Sequence, residues 1–597
     1  MHHPKAKSNQ ISIKDSPNSS IFSQSPGSIL SKPSSQSSLL GSTQSTVAQA
    51  IVKILENLGV CHAFGVSGGA IASFWASLEQ SNIEVLHFRH ETGAAFAAAE
   101  SFLANNRPVV VFTTTGPGVT NALTGLLAAR WEGAKVILVS AATAASQRGR
   151  WAFQETSSYT MPAEVFCTDG TFFNYAKCIE TGDELPEIAR RFASGLARPS
   201  GFVAHISIPT ITQSSLLNAP LAPTTFSQTL ATVGEDAIVK SIRLLCSRPF
   251  AIWVGFGARG AAAEIRQLAE RTGAAVMTSP RGKGIFPENH PQYIGVTGFG
   301  GHSSVVQYMR QTNPERILVL GTRLGEFTSF WSPAMIPSGG FVHVDIDPKV
   351  PGTAYPNVET FSIQSDIQAF VRALLKYFPK HPSNSLVLPH PQRQTVDPRA
   401  EGLVRPGVLM DTIQRIFVES SDAVVMTEAG NSFAWGTNTL RFSKPGRYRV
   451  STGFGSMGHA ATGILGAALA RNSKAVAILG DGAMLMNNEV STAVKYQIPA
   501  VWIVLNDSRY NMCAQGMALL GFQGVDTEIA AESTDFVAIA KAMGADGIRV
   551  EKETDLDSAL ETALATKLPF VVDVIIDPNQ TAPFGNRIQS LKEQGAK

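Results

Sequence analysis

Residues 475–507 read AVAILGDGAMLMNNEVSTAVKYQIPAVWIVLND. The run Val476–Leu479 is apolar throughout and stops at Gly480-Asp481-Gly482-Ala483. A helical stretch then continues through Tyr496. After Pro499 a second apolar run, Val501–Leu505, delivers Asn506-Asp507. Strands that are apolar throughout, rather than alternating, belong to a parallel sheet covered on both faces. The carboxyl edge of such a sheet is where α/β folds bind ligands, and Asp481 and Asp507 both fall there. The flanking glycines let a phosphate approach the backbone, and the helix that follows directs N–H groups at it. Two oxygen side chains beside a diphosphate suit Mg²⁺. Gly-Asp-Gly alone reads equally well as a tight turn; the Asn-Asp pair closing the next strand is what weighs against that.

The same strand–turn–helix alternation recurs along the chain. Upstream, Cys61–Val66 runs into Gly65-Val66-Ser67-Gly68-Gly69, Pro108–Thr114 into Gly116-Pro117-Gly118, and Lys135–Val139 follows. Further apolar segments are Phe250–Val254, Ile317–Leu320, Phe341–Val344, Ala423–Met426 and Phe570–Ile575. Polar, Pro-rich connectors separate them, so the expected class is α/β, with three Rossmann-like parallel-sheet domains at 46–212, 235–380 and 402–580. Residues 1–45 are Ser-rich, with Asp15 as their only acid, and read as a disordered tail, with an organellar targeting segment as the competing reading.

Composition narrows the function classes. With 49 basic and 47 acidic side chains, the chain has no overall electrostatic reason to bind nucleic acid or an anionic membrane. No apolar run reaches the roughly 18 residues that span a bilayer. Five widely spaced cysteines without a CxxC pair point to reduced thiols and a cytoplasmic location.

The span from Gly480 to Asp507 resembles the cofactor motif of the thiamine-diphosphate (ThDP) enzymes. That resemblance implies Asp481, Asp507 and the Arg509 carbonyl as Mg²⁺ ligands, with Gly480, Gly482 and Ala483 at the diphosphate. Asp507 stands where the motif has a second Asn, which adds negative charge without removing a ligand. Arg89-His90-Glu91, followed by Ala94-Ala95-Phe96-Ala97-Ala98-Ala99, is similar to the family's His-Glu-x-x-Ala-Ala signature and implies Glu91 as the acid that activates the cofactor's pyrimidine ring. Thr115-Gly116-Pro117-Gly118 and Phe153-Gln154-Glu155 resemble the acetolactate synthase branch, which implies Gly116 and Gln154 at the reactive face. Gly453-Phe454-Gly455-Ser456-Met457-Gly458 resembles the loop that bends ThDP, with Met457 as the apolar wedge and the Gly455 carbonyl on the aminopyrimidine. Glu428-Ala429-Gly430-Asn431-Ser432 replaces a Gly-His-Gln type contact, leaving Asn431 and Ser432 as hydrogen-bond donors. The resemblance runs from Thr46 to Pro578 and implies pyrimidine-binding, central and diphosphate-binding domains in that order.

Gly255-Phe256-Gly257-Ala258-Arg259-Gly260 is a GxGxxG sequence, but Ala275-Val276-Met277 stands where a ribose-binding acid belongs. Some relatives hold FAD in this domain; here Gly321-Thr322-Arg323-Leu324-Gly325-Glu326 lacks their Arg-Phe-Asp-Asp element, so FAD is not expected. The resemblance implies decarboxylation of a 2-keto acid and carboligation of the acyl unit to a second keto compound. A plain decarboxylase giving an aldehyde and a non-catalytic regulatory member are the alternatives. Asn511 stands where Gly is usual in acetolactate synthases. The tail and these departures also resemble the acetolactate-synthase-like branch of the scytonemin pigment pathway, which implies indole-3-pyruvate and 4-hydroxyphenylpyruvate as substrates. The family's sites act across subunits, so a homodimer or homotetramer is expected.

Overall fold

The computed structural model describes residues 44–595, except 226, 228–230, 247, 248, 380–386, 393–395, 531 and 586. Nearly all of the expected tail lies outside the described residues. Three six-stranded sheets organise the chain, and their strand pairs are parallel.

The first sheet contains β1 (His62–Gly65), β2 (Glu84–His87), β3 (Val109–Thr113), β4 (Lys135–Ala142), β5 (Tyr175–Cys178) and β6 (Phe202–Pro209), in the order β2-β1-β3-β4-β6-β5. The second contains β7 (Phe250–Val254), β8 (Ala275–Thr278), β9 (Tyr293–Val296), β10 (Arg316–Leu320), β11 (Phe341–Asp345) and β12 (Thr360–Gln364), in the order β12-β11-β10-β7-β8-β9. That is the 3-2-1-4-5-6 arrangement of dinucleotide-binding folds. The third contains β13 (Val424–Thr427), β14 (Tyr448–Val450), β15 (Ala475–Gly480), β16 (Ala500–Asn506), β17 (Asp546–Val550) and β18 (Phe570–Ile575), in the order β14-β13-β15-β16-β18-β17. The first and third sheets therefore share one strand order.

Inner strands such as β3, β7, β10 and β16 are buried at every residue, as their unbroken apolar runs require. The edge strands β2, β12 and β17 are partly exposed and correspondingly more polar.

Small side chains join the first and third sheets. Helix Glu91–Asn105 packs its Ala94, Ala95 and Ala97–Ala99 face into a core shared with helix His459–Arg471. At Gly466 the two backbones approach so closely that a Cβ would lie 1.8 Å from the Ala97 carbonyl oxygen. The contact also carries a buried ion cluster. Arg449 donates Nε and Nη2 to the two Glu100 oxygens, each at 2.8 Å, and His459 Nε2 lies 2.9 Å from Glu100 Oε1. Burial opposes the charge on Glu100, but Arg449 and His459 outweigh it and hold its carboxyl well below the usual range.

Two features differ from the sequence reading. The helix expected through Tyr496 is two helices, Asp481–Met486 and Val490–Tyr496. The break comes at Asn487, which is extended, and at Glu489, which takes a left-handed φ of 53°. The GxGxxG segment has a packing explanation. A Cβ on Gly255 would lie 2.4 Å from the Gly321 carbonyl oxygen, so that glycine admits a neighbouring loop. Phe256 lies under three guanidiniums, those of Arg259, Arg281 and Arg449, at 4.5, 4.4 and 4.7 Å.

Candidate active site

The site residues expected from sequence separate into two groups. The first lines a cavity of about 1400 Å³ and comprises Asn431, Ser432, Gly455, Met457, Gly480, Asp481, Gly482, Ala483, Asp507 and Arg509. Each follows the carboxyl end of a strand of the third sheet. Asn431 follows β13, the Gly455–Met457 loop follows β14, Asp481 follows β15, and Asp507 follows β16. Because β15 and β16 pair directly, with Gly480 opposite Leu505, the two aspartates leave adjacent strand ends.

Asp481 is buried and Asp507 half-buried. Burial pushes Asp481 up to about 6, against the pull of the Gly482, Ser508, Asp507 and Arg509 amides. Burial and the Asp481 charge push Asp507 up to about 7. Gly482 donates its amide to Asp481 Oδ1 at 2.7 Å, while Asp481 Oδ2 is buried without a partner. Asn511 donates to Asp507 Oδ2 at 2.5 Å and to the Pro578 carbonyl at 3.1 Å. The Arg509 carbonyl accepts the Asn511 amide at 2.8 Å.

Two acids alone are a sparse set. Among the described residues no group of three or more His, Cys, Asp or Glu side chains is placed to hold a metal ion. A pair of carboxylates supplemented by phosphate oxygens is the arrangement Mg²⁺ adopts beside diphosphates. Space for such a group exists, since no atom would come within 4 Å of a Cβ built on Gly430, Gly455 or Gly480. The buried Asn431 Oδ1 lacks a partner as well. The orphaned oxygens and the open glycine cradle fit a magnesium diphosphate. Gly482 is glycine for another reason, because a Cβ there would meet the Tyr510 ring at 2.6 Å. Met457 lines the cavity while packing against the core. Ser432 is buried and donates its hydroxyl to the Glu428 carbonyl at 2.9 Å.

The second group is Glu91, Gly116 and Gln154, none of which lines that cavity. They follow strands of the first sheet: Glu91 opens the helix after β2, Gly116 follows β3, and Gln154 follows β4. Glu91 is 7% exposed, and its Oε2 accepts from Asn121 Nδ2 at 3.1 Å. Gly116 has a φ of 59° and donates its amide to Thr156 Oγ1 at 2.7 Å. A Cβ on Gly116 would lie 3.0 Å from the Gln154 Cβ, so the two backbones touch. Gln154 and Trp151 are both left-handed, at φ 52° and 61°. Beside Gln154, Trp151 is 97% and Phe153 90% exposed. Two aromatics standing free next to a buried acid mark an unpartnered surface.

Three further residues act here without a signal in the sequence reading. Buried Glu428 accepts the Ala460 and Ala461 amides at 3.0 and 3.2 Å and so caps helix His459–Arg471. Asn121, three residues after Gly118, holds Glu91. Glu489 reaches across from the third sheet to the amides just before Glu91.

Comparison with known proteins agrees with this geometry. Residues 45–161 match the thiamine pyrophosphate enzyme N-terminal TPP binding domain, 243–374 the central domain, and 428–574 the C-terminal TPP binding domain. The chain belongs to the thiamine pyrophosphate enzymes and is a ThDP-dependent enzyme. Within that family it resembles the acetolactate synthases. It is 29% identical to the acetolactate synthase of Mycobacterium bovis, over 89% of this chain and 88% of that protein. It is 27% identical to a probable acetolactate synthase large subunit of Methanocaldococcus jannaschii, over 91% and 94% of the two chains. For the isozyme 1 large subunit of Escherichia coli the identity is 26%, over 90% and 94%. No helix among the described residues is long and apolar enough to cross a membrane.

Proposed function

We propose that this enzyme decarboxylates a 2-keto acid and joins the acyl unit to a second keto compound, at sites completed between two copies of the chain. The observation that carries the reading is the split just described. The cavity holds the carboxylates suited to a magnesium diphosphate, while buried Glu91 and the exposed Trp151 and Phe153 lie outside it. In this reading Asp481, Asp507 and the Arg509 carbonyl hold Mg²⁺. Gly480, Gly482, Ala483, Asn431 and Ser432 border the diphosphate, Asn431 by its amide; the Ser432 hydroxyl, expected as a donor, is already given to the Glu428 carbonyl. The Gly455 carbonyl and Met457 hold the pyrimidine end and the bend of the cofactor.

When bound, thiamine diphosphate supplies the nucleophile and electron sink for cleaving a 2-keto acid and carrying its acyl unit. Glu91, kept in place by Asn121, would be the acid that holds the proton for the pyrimidine end of a cofactor bound by the facing copy. Gly116 and Gln154 border the reacting carbon. Closure of the site by the facing copy would exclude water, which favours transfer to a second carbonyl over release as an aldehyde.

The donor and acceptor we propose are indole-3-pyruvate and 4-hydroxyphenylpyruvate. Supporting this, Trp151 and Phe153 beside Gln154 offer stacking faces for planar side chains. We also read the chain as three domains, 46–212, 235–380 and 402–580, in a cytoplasmic enzyme. The five cysteines form no disulfide. FAD is not part of the reading; a flavin absorption spectrum from purified protein would contradict that.

The test is CO₂ release and product mass with ThDP, Mg²⁺ and pyruvate, indole-3-pyruvate and 4-hydroxyphenylpyruvate, singly and in pairs. A product with two substrate skeletons from the aromatic pair is expected. Aldehyde alone would replace ligation by plain decarboxylation, and no CO₂ from any of them would overturn the reading.

A further inference from the structure

Glu489 has no role in the cofactor cavity, yet it is 3% exposed and sits in a strained left-handed conformation at φ 53°. Its carboxylate points away from the metal helix, toward the first sheet. Oε1 accepts the His90 amide at 2.9 Å, and both oxygens accept the Arg89 amide, at 3.1 and 3.0 Å. Thr492 donates its hydroxyl to the same carboxylate. These amides immediately precede Glu91, the first residue of helix Glu91–Asn105. Neighbouring contacts run the same way. Arg89 Nε donates to Ser491 Oγ at 3.1 Å, and the His87 amide donates to Tyr496 Oη at 2.7 Å. Gly93 leaves room for the clamp, since a Cβ there would lie 2.9 Å from Glu489 Oε1.

We infer that Glu489 is a positioning residue for Glu91. It fixes the β2–helix junction from the segment that also carries the Asp481–Met486 helix. The inference rests on the proposed role of Glu91 and deepens it. If Glu91 serves the facing copy's cofactor, the segment continuing from one site's metal helix aligns the acid of the other. A buried carboxylate taking two successive backbone amides is a rigid device, because leaving those amides unpaired is costly. Glutamine at 489 keeps the shape but turns one acceptor into a donor aimed at N–H groups.

The experiment uses the full chain with ThDP and Mg²⁺ and compares wild type with Glu489→Gln and Gly93→Ala, the second pressing on the carboxylate from its other side. Three quantities are measured: ThDP affinity, the rate of hydrogen–deuterium exchange at the thiazolium carbon of bound ThDP, and backbone amide exchange at Arg89 and His90. Expected are amide exchange at least about tenfold faster and thiazolium exchange slowed about tenfold to a hundredfold, with ThDP affinity within about twofold of wild type. Unchanged amide exchange, or unchanged thiazolium exchange in the loaded variants, overturns the inference. A parallel fall of affinity and melting temperature in both variants also overturns it, since the role is then structural only. A wild-type chain that binds no ThDP sinks the proposed function instead, and the amide exchange still reads the clamp by itself.

Discussion

The first and third sheets have the same strand order, yet the loops at their carboxyl ends carry opposite chemistry. After the second strand of each, one sheet places Glu91 and the other the Gly455–Met457 loop. After the third, one places Gly116 and the other Asp481; after the fourth, one places Gln154 and the other Asp507. In the proposed reading one set is a protonic surface around buried Glu91, and the other a cation and phosphate cradle. Equal topology thus supplies equal positions, and the loop residues decide what each position does. In the proposed reading neither set makes a site alone, since Glu91 does not line the cavity of its own chain.

The sharpest way to separate the halves is to damage each. Glu91→Gln is expected to lower kcat by about 10² to 10⁴ while ThDP affinity stays within a few-fold, as removal of a proton-transfer group should. Asp481→Asn is expected to lose Mg²⁺-dependent ThDP binding itself, read by titration calorimetry. If both variants lose cofactor affinity equally, the division of labour is wrong.

The junction between the halves is the next largest effect. Gly466→Ala sets a methyl group 1.8 Å from the Ala97 carbonyl oxygen and is expected to cost about 3 kcal/mol in chemical denaturation. A neutral result would mean the two helices part easily.

The cradle is expected to be pH-dependent. Mg²⁺ must displace protons from Asp507, raised to about 7, and Asp481, raised to about 6. Apparent Mg²⁺ affinity is therefore expected to fall as pH drops through these values, by up to about tenfold per pH unit for each proton. For the metal-free chain the sign reverses. A raised carboxyl holds its proton in the folded state after the unfolded state has lost it, so stability declines as pH rises from about 4 to about 7. Affinity independent of pH would remove Asp507 and Asp481 from the site.

The smallest expected effect is at Asn511, whose amide offsets the Asp507 charge. Asn511→Ala should move the pH midpoint of Mg²⁺ binding upward by less than about one unit, about one hydrogen bond's worth.

How much of this was legible in the sequence follows the same physics. Inner strands such as β7, β10 and β16 announce themselves because both faces are buried and their central runs, Phe250–Val254, Ile317–Leu320 and Val501–Leu505, are apolar throughout. The edge strands β12 and β17 pair on one side only, and their partly exposed, mixed polar runs lack that signature. The same holds for site residues. Asp481 and Asp507 follow the ends of two apolar runs that are consecutive in the chain and neighbours in the sheet, so local sequence together with the motif resemblance exposes them. Glu489 meets its partners 400 and 399 positions away, and a contact of that range leaves no local trace. That contact is also why the helix after Asp481 breaks where periodicity has it continue. The grouping of Glu91 with Gly116 and Gln154, away from the cavity, likewise needed coordinates.

The most direct test of a site shared between copies is complementation. Glu91→Gln and Asp481→Asn proteins, each inactive alone, are unfolded together, refolded as a mixture, and assayed for CO₂ release. Random pairing gives mixed dimers with one intact site each, so recovery of about a quarter of wild-type activity is expected. No recovery, with mixed dimers shown to form, would contradict the account and return both groups to a single chain.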